Sequence, residues 1–185
     1  MKKISLLVFM IVLSFTLMAQ DNKEEKKAAK KAKKEKKVEE ALESSEKLKS
    51  LFEIKQFVLE ANTVYDKMGA SLMLDPNLNF VGCDGKNSTI QLGFNQLAGW
   101  NGVGGVTLDG EIKKMEVTGK EGVPYFTVHA TVQNKGGSVV TMIFSVSSNR
   151  TARVDMSGSF GEKLSFQGNV VPLGETTVYK GTPVF

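Results

Sequence analysis

The fold follows from an alternating stretch in the second half of the chain, Tyr125-Phe126-Thr127-Val128-His129-Ala130-Thr131-Val132-Gln133. Apolar and polar side chains alternate at every residue, which is the period of a strand with one face in a core and the other toward solvent. The same period recurs in shorter stretches on both sides of it. They begin at Phe57, Ile90, Val140, Ala152 and Leu164, and Thr176 to Tyr179 is the last of them.

Turn-forming sequences separate these strands. They are Asp84-Gly85-Lys86-Asn87, Asn134-Lys135-Gly136-Gly137, Ser148-Asn149 and Gly158-Ser159-Phe160-Gly161. Because links this short join antiparallel neighbours, the pattern predicts a mainly β, antiparallel domain of about eight to ten strands. Such strands form a barrel-like sheet or a two-sheet sandwich, and the dominance of hairpin links favours the barrel.

One predicted strand changes face along its length. Its apolar residues are Val106, Leu108 and Ile112 on one parity and Met115 and Val117 on the other. A β-bulge near Lys113 and Lys114 explains the change, because one extra residue moves every later side chain to the opposite face. A chain reversal at Asp109-Gly110 is an equally open explanation.

A glycine-rich corner precedes that strand, Gly99-Trp100-Asn101-Gly102-Val103-Gly104-Gly105-Val106. Its glycines allow positive φ and close backbone approach, so we expect a structural corner with Trp100 buried as its plug. The order fits neither G-x-G-x-x-G nor G-x-x-x-x-G-K-[ST], and a strand follows it, so a nucleotide cradle is disfavoured. The residues assigned to the corner are Gly99, Trp100, Asn101, Gly102, Gly104 and Gly105.

The first nineteen residues have the organisation of a secretory signal peptide. Met1-Lys2-Lys3 is positively charged, Ile4 to Met18 is apolar apart from two serines and one threonine, and Ala19 is a small residue at the expected cleavage point. This run is shorter than an uncleaved membrane span usually needs. We therefore expect export to the periplasm or the medium, with a mature chain that begins at Gln20.

A basic extension follows, and it accounts for the net positive charge of the chain. Residues 23–37 hold nine lysines and three glutamates, a net of +6, whereas residues 56–185 hold ten Lys/Arg and eleven Asp/Glu, a net of −1. The basic pI is therefore no argument that the β domain binds nucleic acid. Residues 1–19, 20–55 and 56–185 are thus expected to be the signal peptide, a lysine-rich charged helix and linker, and the antiparallel β domain.

The extension is predicted to be helical from about Lys23 to Leu51. Its second half carries a narrow apolar stripe that can dock on the body, made of Val38, Ala41, Leu42, Ser45, Leu48 and Phe52. Its first half is solvated, and it offers a contact to an anionic membrane surface or an acidic envelope polymer. The contact residues would be Lys26, Lys27, Lys30, Lys31, Lys33, Lys34, Lys36 and Lys37.

Several of these stretches resemble the domain-of-unknown-function family numbered 4251, whose members are exported proteins of Bacteroidetes. The resemblance extends roughly from Leu51 to Gly181. It rests on Phe57-Val58-Leu59-Glu60-Ala61, the Trp100 corner continued to Thr107, Gly158-Ser159-Phe160-Gly161, and Val171-Pro172-Leu173 with Val178-Tyr179-Lys180-Gly181. The resemblance implies an envelope location and a β-rich domain, and it assigns no activity and no functional residue.

No residue pattern predicts a catalytic, cofactor or metal site. His129 is the only histidine and lies on the polar face of its strand, and Cys83 is the only cysteine, expected to be a small buried side chain. The carboxylates Asp66, Asp75, Asp84, Asp109, Glu111 and Asp155 are scattered, most of them beside turns.

Two classes of function remain. The first, favoured because no histidine cluster, cysteine pair or nucleotide loop is present, is a non-catalytic binding or interaction module of the bacterial envelope without a cofactor. In one form of it the β domain carries a small apolar ligand. The second is an envelope hydrolase that uses dispersed carboxylates.

Overall fold

The computed structural model describes residues 2–94, 101–120, 122–158 and 163–183, and it describes side chains from residue 26 onward except at position 28. The chain divides into two compact units, Met1–Glu40 and Ala41–Phe185.

Helix α1 spans Lys2–Glu53, so it begins well before the predicted start at Lys23 and ends two residues beyond Leu51. In the first unit, the described side chains between residues 26 and 40 are all exposed. In the second unit the last turns of the helix belong to the core, because Ser45, Leu48 and Phe52 are buried. The predicted docking stripe is confirmed there, whereas Val38 is 45% exposed. Among the residues searched, no helix combines the length and apolarity needed to cross a membrane.

Nine strands follow in the described part of the chain. They are β1 (Gln56–Tyr65), β2 (Ser71–Met73), β3 (Phe80–Asp84), β4 (Asn87–Leu92), β5 (Val106–Thr118), β6 (Tyr125–Asn134), β7 (Val139–Ser147), β8 (Thr151–Gly158) and β9 (Lys163–Pro172). Strands β1 and β3 to β9 pair with their neighbours in antiparallel register, and β9 pairs back with β1. The sheet is therefore a closed eight-stranded barrel with β2 added beside β1, and the barrel form of the prediction is confirmed.

The barrel interior is filled by the apolar side chains of alternating strand positions and by the end of the helix. The Phe52 ring lies with its centroid 3.8 Å from that of Phe57 and 5.5 Å from those of Phe126 and Phe144. All four rings are almost fully buried. The last turn of helix α1, within the second unit, thus closes the end of the barrel where β1 and β6 begin.

The change of face in β5 is a bulge. The pairing of β5 with β6 shifts register between Ile112 and Lys114, and the strand runs without a turn through Asp109 and Gly110. The alternative of a reversal at Asp109-Gly110 is therefore wrong. Gly110 faces inward, where a Cβ atom would lie 2.5 Å from Val132 Cγ1, so a larger residue would collide with β6.

The hairpins agree with the predicted turn sequences where they are described. The turn between β3 and β4 has two residues, with φ of 59° at Gly85, and the β6–β7 and β7–β8 turns have φ of 84° at Gly137 and 69° at Arg150. The turn predicted at Gly158 to Gly161 lies mostly outside the described residues. It falls between β8 and β9, which pair antiparallel.

Three details differ from the prediction. Phe94, which continues the sequence alternation of Ile90 and Leu92 and is therefore expected in the same strand, lies beyond the end of β4 and is 43% exposed. Residues 176–179 form no strand, because their hydrogen bonds go to loop backbone and to side chains. Strand β1 also contains an unpredicted bulge between Ala61 and Thr63 in its pairing with β9.

Candidate functional site

The eight predicted contact lysines lie in the first unit on a continuous helix, and each is exposed. At 3.6 residues per turn, seven of them fall within an arc of about 160° around the helix axis, and only Lys36 falls outside it. Among the described side chains of this unit, ion pairs join only Lys31 to Glu35 and Lys36 to Glu40, both at 3.9 Å. We call the seven lysines the lysine face: Lys26, Lys27, Lys30, Lys31, Lys33, Lys34 and Lys37.

The glycine-rich corner is described only from Asn101 onward, so the predictions for Gly99 and Trp100 fall outside the described residues. In the described part, Asn101 Oδ1 accepts hydrogen bonds from the backbone N–H groups of Val103 and Gly105, at 3.1 and 2.9 Å. Gly102 and Gly104 have φ of 74°, which favours glycine. At Gly105 a Cβ atom would overlap the Leu92 carbonyl oxygen, so this glycine is required by close backbone approach.

A segment of residues 176–183, here called the C-terminal strap, lies across the outer wall of the barrel. Gln91, fully buried on β4, holds it with two of its four side-chain hydrogen bonds, and the other two go to Leu78 and Thr107. Its Nε2 donates to the carbonyls of Tyr179 at 2.7 Å and Leu78 at 2.9 Å, and its Oε1 accepts from Gly181 N–H and Thr107 Oγ1, both at 2.8 Å. The strap therefore depends on an amide at position 91.

Further bonds fix both ends of the strap. Thr176 Oγ1 donates to Glu60 Oε1 at 2.7 Å, and Lys180 pairs with Asp109 at 2.7 Å. The backbone N–H of Thr182 donates to the carbonyl of Asn101 at 3.0 Å. The strap thus connects β1, β4, β5 and the glycine-rich corner.

An open polar depression of about 710 Å³ lies beside the strap on the outer wall of β4, β5 and β6. Lys113 pairs with Glu111 at 2.6 Å, and this hydrogen bond and charge lower the pKa of the Glu111 carboxyl. Lys86 and Lys135 form no ion pair with a described side chain. The charged residues of its lining are Asp84, Lys86, Asp109, Glu111, Lys113, Lys135 and Lys180.

A smaller apolar pocket of about 190 Å³ adjoins the depression beneath the strap. Its apolar walls come from the outer face of β1 and β3 and from the segment that leads into the strap: Val58, Phe80, Gly82, Leu173 and Val178. The two cavities share Asp84, Asn87, Thr89 and Lys180. The two cavities therefore adjoin, and we treat them together as one composite site with an apolar end and a polar end.

The other candidate residues lie apart from this site or face inward. His129 is exposed on the outer face of β6, and the Cys83 thiol is buried in the barrel, where burial raises its pKa to about 12. Asp155 is exposed on β8; partial desolvation opposes its ionisation, yet hydrogen bonds from Ser165 and Arg153 lower its pKa. Within the residues searched, no three His, Cys, Asp or Glu side chains group as metal ligands do.

Sequence reasoning missed this composite site for a physical reason. Asp84 lies on β3 and Asp109 and Glu111 lie on β5, and only the barrel register brings them to one depression. Asp66 and Asp75 have the predicted turn role, since each accepts hydrogen bonds from backbone N–H groups that follow it closely in sequence. The one sequence signal for the site was the alternation of β4, which places the polar Thr89 and Gln91 together on the outer wall.

Comparisons with known proteins agree with the architecture. The sequence model of a domain of unknown function, DUF4251, matches residues 30–170. The crystal structure of a DUF4251 family protein from Bacteroides eggerthii DSM 20697 is similar, with a TM-score of 0.59 and 26% sequence identity over 72% of this chain and 90% of that one. No curated protein matches the chain.

Proposed function

The chain belongs to the DUF4251 family, and we propose that it is an exported, non-catalytic binding module of the bacterial envelope, held at an anionic surface by its lysine face. The proposed location is the periplasm or the medium. It is supported by the charged Met1-Lys2-Lys3, the apolar run from Ile4 to Met18 and the small Ala19 at the expected cleavage point. The Bacteroides relative fits a source among the Bacteroidetes.

The lysine face is the observation that carries the proposal. A flat surface contacts about one side of a helix, and seven lysines lie on one side here, whereas Glu35 and Glu39 lie outside their arc. Each lysine near an anionic membrane contributes about 1 kcal/mol at most, and the attraction decays over a Debye length of about 8 Å at physiological salt. Because the apolar residues among these lysines are alanines, attachment is peripheral and reversible.

The geometry of the barrel favours binding over hydrolysis. A general acid at neutral pH needs a carboxyl group whose pKa is raised. In the depression the opposite holds for Glu111, whose pKa is lowered by Lys113. The Asp109 carboxylate is already engaged by Lys180 at 2.7 Å and by the Thr89 hydroxyl at 2.6 Å. The interior is also poorly suited to an apolar cargo, since the aromatic side chains around Phe52 fill its closed end.

Cosedimentation with vesicles tests the proposal. The purified chain should bind vesicles rich in anionic lipid at low ionic strength, leave neutral vesicles unbound, and dissociate near 0.5 M salt, where the Debye length is about 4 Å. Substitution of Lys30, Lys33 and Lys37 by glutamine should weaken binding by about 2 to 3 kcal/mol, because three charges are lost without loss of helix propensity.

A matched control removes the same charge from the barrel unit. Lys67, Lys120 and Lys163 are exposed there, and their replacement by glutamine should leave vesicle binding unchanged. Equal weakening by both triple variants would show that only net charge matters and would refute a tether at the lysine face.

A further inference from the structure

Gly82 differs from the other glycines of the barrel wall in what surrounds it. At Gly105 and Gly168, a Cβ atom would overlap the backbone carbonyl oxygen of Leu92 or Glu60, so those positions require glycine. At Gly82 the nearest atoms would be the Phe80 ring at 3.6 Å and Val58 Cγ2 at 3.7 Å, which is ordinary van der Waals contact. Packing therefore does not require glycine at position 82.

The missing side chain opens the apolar pocket instead. Gly82 lies in the middle of β3, between Val58 of β1 and Thr89 of β4, and it lines the pocket beneath Leu173 and Val178. A glycine inside a strand commonly marks a place where a ligand approaches the backbone closely. The pocket, at about 190 Å³, is smaller than the 300–1,000 Å³ typical of sites for drug-sized ligands, and it suits one aliphatic or aromatic group.

The charges of the adjoining depression indicate which chemical groups the rest of the ligand carries. In the adjoining depression, Lys113 and Lys180 are neutralised by Glu111 and Asp109. Of the remaining charges in its lining, Lys86 and Lys135 are positive and Asp84 is negative, which leaves a net charge of +1 and two ammonium groups that pair with no described carboxylate. This end of the site complements carboxylate groups, and its amides, from Asn87, Gln133 and Asn134, complement peptide groups.

We propose that the pocket over Gly82 binds an apolar anchor side chain of an acidic peptide segment whose carboxylates lie over Lys86 and Lys135. Such an arrangement is the usual one in peptide recognition, where a small apolar pocket takes an anchor and neighbouring charges select its flanks. The inference rests on the proposed binding role and deepens it by naming the site and the ligand class. It does not depend on the lysine face.

Amide chemical-shift titration of the full chain tests it, with the acetylated and amidated peptide Glu-Leu-Glu-Glu as the probe. We expect saturable shifts at the amides of Gly82, Val178 and Lys180. A peptide with alanine in place of leucine should bind about tenfold more weakly, because most of the buried apolar surface is lost. The peptide Lys-Leu-Lys-Lys should bind more weakly still.

Two protein variants locate the site. Gly82→Val fills the pocket and should abolish the shifts, whereas Ser145→Val places the same valine side chain on the exposed face of β7 and should leave them intact. Thermal melting of both variants verifies that they fold.

Four results would overturn the inference: no shifts at the pocket, equal binding of both leucine peptides, unchanged binding by Gly82→Val, or equally tight binding of 4-methylpentanoate, which would assign the site to a free acid. If the peptide fails while salt-sensitive vesicle binding persists, only this inference is lost. If vesicle binding fails while the peptide binds, the tether is wrong and the site stands.

Discussion

Phe52 and Phe57 place their ring centroids 3.8 Å apart, although Phe52 lies in the last turn of helix α1 and Phe57 is the second residue of β1. The contact joins the helix to the barrel within six residues of sequence. Because both rings are fully buried, the end of the charged extension is part of the barrel core and is more than a linker.

Phe52→Ala should therefore destabilise the barrel by about 3–5 kcal/mol, the range for a large aromatic removed from a core. Urea unfolding followed by circular dichroism measures it. Ile54→Ala is the control. Because Ile54 is 56% exposed, its truncation should change the free energy of unfolding by no more than about 0.5 kcal/mol. Similar stability of Phe52→Ala and the parent chain would show that the helix does not close the barrel.

Gln91→Leu should release the C-terminal strap. It leaves Thr107 Oγ1 and the Gly181 N–H without their acceptor, and each buried polar group left unsatisfied costs about 1–3 kcal/mol. Hydrogen exchange at the Gly181 amide should accelerate accordingly. Gln133→Leu makes the same change in the open depression and should leave that amide protected. Continued protection in Gln91→Leu would mean that the strap is held by other contacts.

Two glycine-to-alanine substitutions should change the free energy of unfolding in opposite directions. Gly105→Ala drives a methyl group into the Leu92 carbonyl and should destabilise by more than about 1 kcal/mol. Gly82→Ala meets only ordinary contacts in a strand interior and should stabilise by about 0.5–1 kcal/mol. Melting curves compare them directly. Marked destabilisation by Gly82→Ala would show that the fold itself requires glycine at position 82.

Alkaline pH should destabilise the fold through Cys83. Burial raises the pKa of its thiol from 9.0 to about 12, so above pH 9 the unfolded chain loses a proton that the folded chain keeps. This contribution to stability is present in full below pH 9. It declines by up to about 1.4 kcal/mol per pH unit between the two pKa values. Cys83→Ala should show a shallower decline in unfolding free energy from pH 8 to pH 10.5, and parallel curves would contradict the assignment.

Much of the fold was predictable because most strands have one face exposed to solvent and the other in the core. Alternation identified β6, β7, β8 and β9 directly, and the parity change identified the bulge in β5. It failed for β3, where Phe80 and Val81 are both buried since the outer wall there is covered as well. Strand β2 has three exposed residues and no pattern to detect.

The composite site was beyond sequence reasoning because its contacts connect distant parts of the chain. Gln91 and Gly181 are 90 residues apart, and nothing in either local sequence indicates their hydrogen bond. The sequence around Gly82 shows no clear alternation of polar and apolar residues. The pocket that its missing side chain leaves is therefore recognised only from the position of the strap. The lysine face, in contrast, follows from the sequence alone, because the positions of its lysines around a helix require only helical geometry.

The most direct test of the proposed function is a salt wash of the envelope fraction of cells that produce the chain, followed by intact-mass measurement of what is released. We predict a protein that begins at Gln20, is retained with the envelope at low ionic strength, and is released near 0.5 M salt, where electrostatic attraction is screened beyond about 4 Å. A protein that keeps Met1 and remains in the cytosol would contradict export, and one that begins at Gln20 but ignores salt would contradict the lysine tether.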